Sequence, residues 1–282
     1  MGWRRLILIN DQFLERDQIK IDIEDRGYQF GDGVYEVIRV YNGEFFEGEA
    51  HITRLERSLD ALKIQPPFAL SALKGKLVEL CIHNHLENGM IYLQITRGQA
   101  ERTHAYPEKV KSVLTAYTKP LVRPLKDLHE GINICLTDDI RWLRCDIKSL
   151  NLLGNVLAKQ EAVEGGYKEA IFHRNDQITE GSSSNIFIIK GKKLMTHPAN
   201  NYILNGITRQ WVLKQASELG LVVKEEVFSV HDLFQADEAF ITSTTQEIMP
   251  VCQIEEQPVG EGVPGPLTRL LQKAFDEAIL TK

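Results

Sequence analysis

The 282-residue chain is 43% hydrophobic and 26% charged, and 39 acidic against 33 basic residues give it a net charge of −6. This composition is typical of a globular protein and argues against intrinsic disorder, while the acidic balance argues against a nucleic-acid-binding protein. No apolar run approaches the roughly 18 residues of a membrane span. Four scattered cysteines without a close pair are typical of a reducing compartment. Together with a prior of about 150 residues per domain, these features predict a cytoplasmic protein of two domains.

The first 118 residues combine the apolar periods of strands and helices. Apolar segments that are short or that alternate with polar residues predict strands at 6–9, 43–46, 91–95 and 110–117. Apolar residues recurring at spacings of three and four predict helices along 52–62 and 70–80. The first part of the chain is therefore predicted to be a mixed α+β unit.

The segment from Thr118 to Gly131 contains Pro120 and Pro124 and lacks periodicity, which is typical of a domain boundary. We therefore expect an N-terminal domain at 1–119, a linker at 120–130 and a C-terminal domain at 131–282. Strands are predicted in the second domain at 132–136, 169–173, 185–190, 222–228 and 238–242. Helices are predicted there at 152–164, 207–219 and 266–280.

Two segments of the second domain carry candidate catalytic groups. Lys148 lies among apolar residues in D-I-K-S-L-N, and a desolvated lysine amine readily becomes a nucleophile or base. Glu180 begins E-G-S-S-S-N, in which a carboxylate can hold a protonated heterocycle while the hydroxyls donate to an anion. Taken singly, the first segment is better explained as a surface lysine at a helix start, and the second as a polar turn before a strand.

Two further segments of this domain are candidates for binding an anion. N-G-I-T-R at 205–209 opens a helical pattern, and the free N–H groups of a helix start suit phosphate. The same letters are also ordinary helix-capping chemistry. T-S-T-T at 242–245 is a second hydroxyl cluster, and it is equally ambiguous by itself.

The first domain contains a candidate carboxylate-binding pair. Arg102 and His104 are two residues apart, so in an extended segment they face the same side and can both donate to a carboxylate. The alternative is a solvated loop. The segment 26–36 is rich in glycine and aromatic residues, and its Gly-Asp-Gly is typical of a tight turn. His83 and His85 lack further ligands at metal-binding spacing, so no metal site is predicted.

The order of these motifs is more specific than any one of them. R-G-Y-Q-F-G-D-G-V-Y-E, D-I-K-S-L-N, E-G-S-S-S-N, G-I-T-R and T-S-T-T, in this order, closely resemble the fold-type IV pyridoxal 5′-phosphate (PLP) enzymes, and among them the D-amino-acid aminotransferases. The resemblance runs through both domains. It implies a small N-terminal α/β domain, a larger C-terminal pseudo-barrel domain that anchors PLP, and a homodimer.

The resemblance also implies roles in binding the cofactor. Lys148 is expected to bond covalently to PLP and then to move the substrate proton, and Glu180 to contact the pyridine nitrogen. Arg54 is expected to meet the cofactor phosphate. The other cofactor-binding residues that it implies are Arg141, Ser182, Ser183, Leu204, Ile207, Thr208 and Thr244.

For the substrate, the resemblance implies that Tyr35, Arg102 and His104 bind the α-carboxylate, with the arginine and histidine supplied by the neighbouring subunit. The implied reaction is a ping-pong conversion of D-alanine and 2-oxoglutarate into pyruvate and D-glutamate. The partners are thus small amino acids and 2-oxo acids, with no role for nucleic acid or membrane.

Three alternatives remain open from the sequence. A branched-chain aminotransferase acting on L-amino acids and an aminodeoxychorismate lyase share the fold, and a PLP-binding protein without turnover is a third. The Arg102-x-His104 pair favours the D-amino-acid enzymes over the branched-chain aminotransferase, and dependence on an amino acceptor separates them from the lyase. The presence of both Lys148 and Glu180 argues against the third.

Overall fold

The computed structural model describes residues 5–280, which divide into two compact units. The first unit extends to Val122 and also contains Ile147–Asn151. The second comprises Arg123–Asp146 and the chain from Leu152 onward. The predicted organisation in two domains is confirmed, and the chain passes between the units within the segment that lacks periodicity.

The segment Ile147–Asn151 was predicted as part of the second domain, whereas the structure groups it with the first. The reason is main-chain hydrogen bonding. Tyr35 N–H donates to the Lys148 carbonyl and Leu150 N–H donates to the Gly33 carbonyl, both at 3.0 Å. Pairing between segments more than a hundred residues apart leaves no periodic signal in the sequence.

The first unit is built on a six-stranded antiparallel sheet with the order β2-β1-β6-β5-β3-β4. Its strands are β1 (Leu6–Ile9), β2 (Gln12–Glu15), β3 (Gly33–Tyr41), β4 (Glu44–Phe45), β5 (Gly89–Thr96) and β6 (Val113–Pro120). Its helices are α1 (Arg26–Phe30), α2 (Gly48–Leu62) and α3 (Leu73–His83), with 3₁₀ turns at Arg16–Gln18 and Leu70–Ala72. The apolar stripes predicted on α2 and α3 are buried against the sheet, with Leu55, Leu59, Leu77 and Leu80 in its core.

The segment predicted as a tight turn at Gly-Asp-Gly continues directly into β3, the longest strand of the first unit. Gly31 has a φ of 66° and ends α1, so the left-handed conformation that favours glycine is used here. From Gly33 onward the chain is extended and mostly buried on both faces. A strand buried on both faces does not alternate between apolar and polar residues, so the period-2 signal is weak.

The second unit contains a nine-stranded mixed sheet with the order β12-β11-β10-β13-β14-β7-β8-β9, and β15 pairs with β14. Its strands are β7 (Ile132–Asp138), β8 (Glu169–Arg174), β9 (Gln177–Gly181), β10 (Asn185–Lys190), β11 (Lys193–Thr196), β12 (Val222–Glu225), β13 (Glu238–Ser243), β14 (Glu247–Ile254) and β15 (Gln257–Pro258). Its helices are α4 (Leu125–Glu130), α5 (Leu153–Glu164), α6 (Ile207–Glu218), α7 (Val230–Phe234) and α8 (Pro266–Leu280).

Most of the predicted elements of this unit are confirmed, including all three long helices. The segment 120–130, predicted as a linker, instead contains the last residue of β6 and the short helix α4. None of the helices between residues 5 and 280 combines the length and hydropathy needed to cross a bilayer. Polar residues of the candidate site described below lie at the ends of three strands: Glu169 begins β8, Glu180 is the penultimate residue of β9, and Asn185 begins β10.

Candidate active site

Lys148 belongs to the first unit, where its main chain is fixed from two sides. Its carbonyl accepts the Tyr35 N–H, and its own N–H donates to Ser58 Oγ at 3.3 Å. The neighbouring Ile147 and Ser149 are buried. The Lys148 Nζ lies 4.3 Å from the centre of the Tyr35 ring. The structure therefore brings together the predicted covalent lysine and the predicted substrate-binding tyrosine.

Arg54, predicted to meet the cofactor phosphate, lies on α2 and forms a bidentate ion pair with Glu36 of β3. Arg54 Nε and Nη2 donate to the two Glu36 oxygens, each at 2.7 Å. His51, one helical turn before Arg54, lies with Nδ1 2.8 Å from Glu36 Oε2. All three side chains are buried. Glu36 and His51, which were not predicted from the sequence, thus orient the arginine.

The environment of this cluster shifts the pKa values of two of its members. Burial alone would raise the pKa of Glu36, but the charge and hydrogen bonds of Arg54 and the hydrogen bond of His51 outweigh it and lower the pKa to about 2. Burial lowers the pKa of His51, and the positive charges of Arg54 and Lys148 lower it further. The hydrogen bond and charge of Glu36 raise it, but by less. Glu36 is therefore ionised at neutral pH.

A lowered pKa of Glu36 makes the stability of the apoprotein depend on pH. Because the folded-state pKa lies below the unfolded-state value, this stabilisation is complete above about pH 4.5 and is lost as the pH falls towards 2. We expect the difference in unfolding free energy between wild type and Glu36→Gln to shrink by about 2 kcal/mol from about pH 5 to about pH 3. Urea titrations at stepped pH measure it.

The matched control for this experiment is Glu49→Gln. Glu49 pairs with Lys74 at 2.6 Å, but its side chain is 75% exposed, and exposed ion pairs contribute little to stability. For each variant, the quantity compared is its difference from wild type in unfolding free energy. If this difference depends on pH equally for Glu36→Gln and Glu49→Gln, the buried cluster does not stabilise the fold in the way described.

Arg102 and His104, predicted to converge on a carboxylate, lie in an exposed loop of the first unit. Both contact Phe30, at the end of α1. The Arg102 guanidinium carbon is 4.9 Å from the Phe30 ring centre, and the His104 ring is 5.8 Å from it. Arg26 Nη1 donates to the Thr103 carbonyl at 2.7 Å and so holds the main chain between the pair. Arginine and histidine are therefore brought to one aromatic side chain while staying accessible.

Glu180 lies near the end of β9 in the second unit and is 5% exposed. Its Oε2 accepts hydrogen bonds from Asn185 Nδ2 at 3.1 Å and from the Leu204 N–H at 3.0 Å. Asn185 also donates to the Leu204 carbonyl at 2.9 Å. The predicted residues Glu180 and Leu204 are thus joined through Asn185, whose role was not predicted.

Arg141, whose role the sequence left least defined, pairs with the other oxygen of Glu180. Arg141 Nη1 donates to Glu180 Oε1 at 2.6 Å, Nε donates to Asp139 at 2.8 Å, and the guanidinium lies 4.2 Å from the centre of the Phe172 ring. Burial raises the pKa of Glu180, although the charge and hydrogen bond of Arg141 and the Leu204 N–H oppose it. Glu180 is a fully buried acid whose proton affinity is raised.

The hydroxyl groups of the E-G-S-S-S-N segment are directed to a different carboxylate. Ser182 Oγ donates to Oε1 of Glu169, the first residue of β8, and Ser183 Oγ donates to its Oε2 at 3.0 Å. Each hydroxyl has one hydrogen to donate, so neither donates to Glu180 in this arrangement. The expected contribution of Ser182 and Ser183 to cofactor binding stays a prediction.

The N-terminus of α6 carries Ile207 and Thr208, both predicted to bind phosphate and both buried. Its N-cap, Gly206, provides no side-chain hydrogen bond to the first turn, so the N–H groups that a helix start leaves without intrahelical partners face an anion-binding position. A Cβ on Gly206 would lie 2.2 Å from Asn185 Oδ1. Only glycine therefore permits this close approach of the helix to Asn185.

Thr244, predicted to add a hydroxyl, lies in the half-buried turn between β13 and β14. The neighbouring Thr242 Oγ1 is buried and has no hydrogen-bond partner among residues 5–280. A buried acid, an open helix start and an unpartnered hydroxyl are a donor set that fits an aromatic nitrogen heterocycle carrying a phosphate. The residues of the second unit therefore fit PLP.

Comparison with known proteins identifies the family. Residues 33–254 match the family model described as amino-transferase class IV. The chain belongs to the class IV aminotransferases. It is therefore an enzyme that transfers amino groups, and PLP is the cofactor of this family, so the predicted family and cofactor are confirmed.

Named relatives extend this similarity over nearly the whole chain. The chain is 48% identical to D-alanine aminotransferase of Bacillus licheniformis over 276 residues, covering 98% of each protein. It is 46% identical to D-alanine aminotransferase of Staphylococcus haemolyticus, covering 97% of each.

Solved structures confirm the predicted fold. The Escherichia coli branched-chain amino acid aminotransferase superposes with a TM-score of 0.92 at 28% identity, covering 97% of this chain and 94% of that one. The branched-chain amino acid aminotransferase from Thermobaculum terrenum, solved in its PLP form, gives a TM-score of 0.87 at 26% identity, covering 99% and 95%.

Proposed function

We propose that the enzyme transaminates D-amino acids, converting D-alanine and 2-oxoglutarate into pyruvate and D-glutamate. The observation that carries the proposal is the identity of 46–48% to D-alanine aminotransferases over at least 97% of the chain. The solved branched-chain enzymes share the fold at a lower identity of 26–28%. A D-amino-acid substrate is therefore better supported than a branched-chain L-amino acid.

In the first unit, Lys148 would bond to the cofactor and Arg54 would meet its phosphate. In the second unit, Glu180 would contact the ring nitrogen and the N-terminus of α6 would bind phosphate. PLP supplies a ring that stabilises negative charge on the substrate Cα. The Glu180 carboxylate is fixed by Arg141 on one oxygen and by Asn185 and Leu204 on the other, and it would stabilise positive charge at the ring nitrogen.

Lys148 would move the proton. Its amine would take the hydrogen from the substrate Cα as a general base and, once protonated, would give a proton back as a general acid. The hydrogen bonds of the Lys148 main chain fix the point from which its side chain reaches the substrate. Only a substrate whose Cα hydrogen points towards that amine reacts, so the side on which the carboxylate is held determines the handedness.

The substrate carboxylate would be held by Tyr35, Arg102 and His104. The guanidinium can donate two parallel hydrogen bonds to it, and both Arg102 and His104 are exposed in the single subunit. We propose that they complete the site of a neighbouring subunit in a homodimer. Leu153, Val156 and Leu157 on α5 are exposed apolar residues, which supports association. A cytoplasmic location likewise stays a prediction, based on the cysteine content.

An amino-donor panel tests the proposed reaction. We expect PLP-loaded enzyme to transfer the amino group of D-alanine to 2-oxoglutarate and to be inactive with L-leucine. Borohydride reduction should attach the cofactor covalently to Lys148 and abolish activity, which peptide mass spectrometry can locate. Good turnover of L-leucine without turnover of D-alanine would replace the proposal by a branched-chain aminotransferase. Release of pyruvate from aminodeoxychorismate without any amino acceptor would indicate the lyase.

A further inference from the structure

Glu169 is a fully buried carboxylate that no motif of the sequence singled out. It is 0% exposed and lies at the start of β8. Ser182, Ser183 and Ser184 all donate their hydroxyl hydrogens to it, the last two at 3.0 Å. The Ala170 N–H donates to it as well, at 2.9 Å. Three consecutive hydroxyls converging on one carboxylate is an arrangement that an ordinary polar turn does not need.

The serine loop, defined as Ser182–Ser184, joins the two residues that form the centre of the cofactor site in this unit. Glu180 is two residues before it, Asn185 follows it directly, and their side chains are 3.1 Å apart. The loop is also bonded through its main chain, because Ser182 N–H donates to the Ala170 carbonyl at 2.9 Å and Gly181 N–H to the Ser184 carbonyl at 2.7 Å. Movement of the loop would therefore separate Glu180 from Asn185.

We propose that Glu169 is a positioning residue that fixes the serine loop and, through it, the Glu180–Asn185 pair that receives the cofactor. Glu169 acts without contacting the cofactor or the substrate. Charge-assisted hydrogen bonds are about twice as strong as neutral ones, so a carboxylate suits three converging hydroxyl donors better than a neutral side chain of the same size. The inference rests on the proposed function only for the identity of the cofactor.

Glutamine at position 169 keeps the size of the side chain but changes half of its contacts. Oε1 accepts from Ser182 and Ala170, and Oε2 accepts from Ser183 and Ser184. An amide has one accepting oxygen and one donating nitrogen. The amide nitrogen of Glu169→Gln faces either Ser183 and Ser184 or Ser182 and the Ala170 N–H, so two of the four donors lose the oxygen that accepts from them. All four contacts lose the negative charge.

Glu238 offers a matched control in the same unit. It is also a buried carboxylate at the first position of a strand, β13, and it accepts the N–H groups of Leu267 and Thr268 at 3.0 and 2.7 Å and the Thr268 hydroxyl at 2.7 Å. Glu238→Gln therefore removes comparable hydrogen bonds, but they hold the start of α8 and not the serine loop.

The experiment measures PLP affinity and amide hydrogen exchange of the apoprotein. We expect Glu169→Gln to weaken PLP binding by about 10–100-fold, the range typical of residues that orient the ligands of a bound group. In the same variant, the amide hydrogens of Gly181 and Ser182 should exchange faster than in wild type. Glu238→Gln should lower the melting temperature without either change. Ser184→Ala, which removes one donor from Glu169, should shift both readouts in the same direction by a smaller amount.

The outcomes separate the inference from the proposed function. PLP affinity and exchange in Glu169→Gln that match wild type, or that change equally in Glu238→Gln, would overturn the positioning role. If Glu169→Gln does not fold, Ser184→Ala alone decides, because an unchanged PLP affinity and unchanged exchange in it contradict the inference. Failure of the wild-type protein to bind PLP would instead overturn the proposed function.

Discussion

Lys148→Ala is expected to lower the turnover of D-alanine by more than the roughly 10²–10⁴-fold typical of losing one acid–base group. The larger effect follows because the variant loses both the covalent attachment of the cofactor and the group that moves the Cα proton. The Lys148 side chain contributes to none of the main-chain bonds that join Ile147–Asn151 to β3, so the fold should persist. Single-turnover absorbance after mixing with D-alanine measures the loss.

Lys74→Ala is the control for removal of a positive charge. Lys74 is a half-exposed lysine of the same unit that pairs with Glu49, and its replacement should leave turnover unchanged. Addition of a small primary amine should partly restore the Lys148→Ala variant, because a diffusing base can take the position of the missing amine. Near-normal turnover of Lys148→Ala without added amine would remove Lys148 from the mechanism.

The elements with a clear period of apolar residues were predicted from the sequence. Apolar residues recur every three or four positions in the helices α2, α3, α6 and α8, and they alternate with polar residues in the half-buried strand β5. Six strands were missed: β2, β3, β9, β11, β14 and β15. The short β2 and β15 contain no fully buried residue. The other four are buried along most of their length, so both of their faces are apolar or are paired with polar partners distant in sequence. Burial on two sides removes the period that reveals a strand.

The residues of the candidate site likewise divide into those that the sequence predicted and those that it did not. Lys148 and Glu180 were found because the order of motifs resembles a known family, whereas Glu36 and Glu169 were not found. Glu36 nevertheless left a signal, because it lies on the face of β3 that carries the buried Val34 and Ile38. A lone carboxylate at a core-facing position requires a buried partner.

Glu169 left no such signal. Its three hydroxyl partners are 13 to 15 residues away in the sequence, and they meet it only because β8, β9 and β10 bring the serine loop back to the start of β8. Spacing along the chain predicted instead that Ser182 or Ser183 would assist Glu180. Local proximity in sequence is therefore a poor guide to which carboxylate a loop hydroxyl contacts.

Arg102→Ala is expected to raise the KM for D-alanine by about 10–100-fold, because a hydrogen bond to a charged group contributes about 1.5–3 kcal/mol. PLP affinity should stay unchanged, since the groups proposed to hold the cofactor are other residues. Arg102→Lys should recover part of the loss, because it keeps the charge but not the bidentate geometry. Lys109→Ala, an exposed position in the same loop, should leave KM unchanged. Equal losses in KM and PLP affinity would make Arg102 a structural residue.

The same variant tests whether two subunits share each site. If Arg102 acts in the neighbouring subunit, mixing unfolded Arg102→Ala and Lys148→Ala chains and refolding them together creates heterodimers in which one site has both native residues. The other site of each heterodimer has neither. Random pairing into symmetric dimers should then restore about a quarter of the wild-type activity. If Arg102 instead serves its own subunit, every site of the mixture carries a defect, and the mixture stays as inactive as the separate variants.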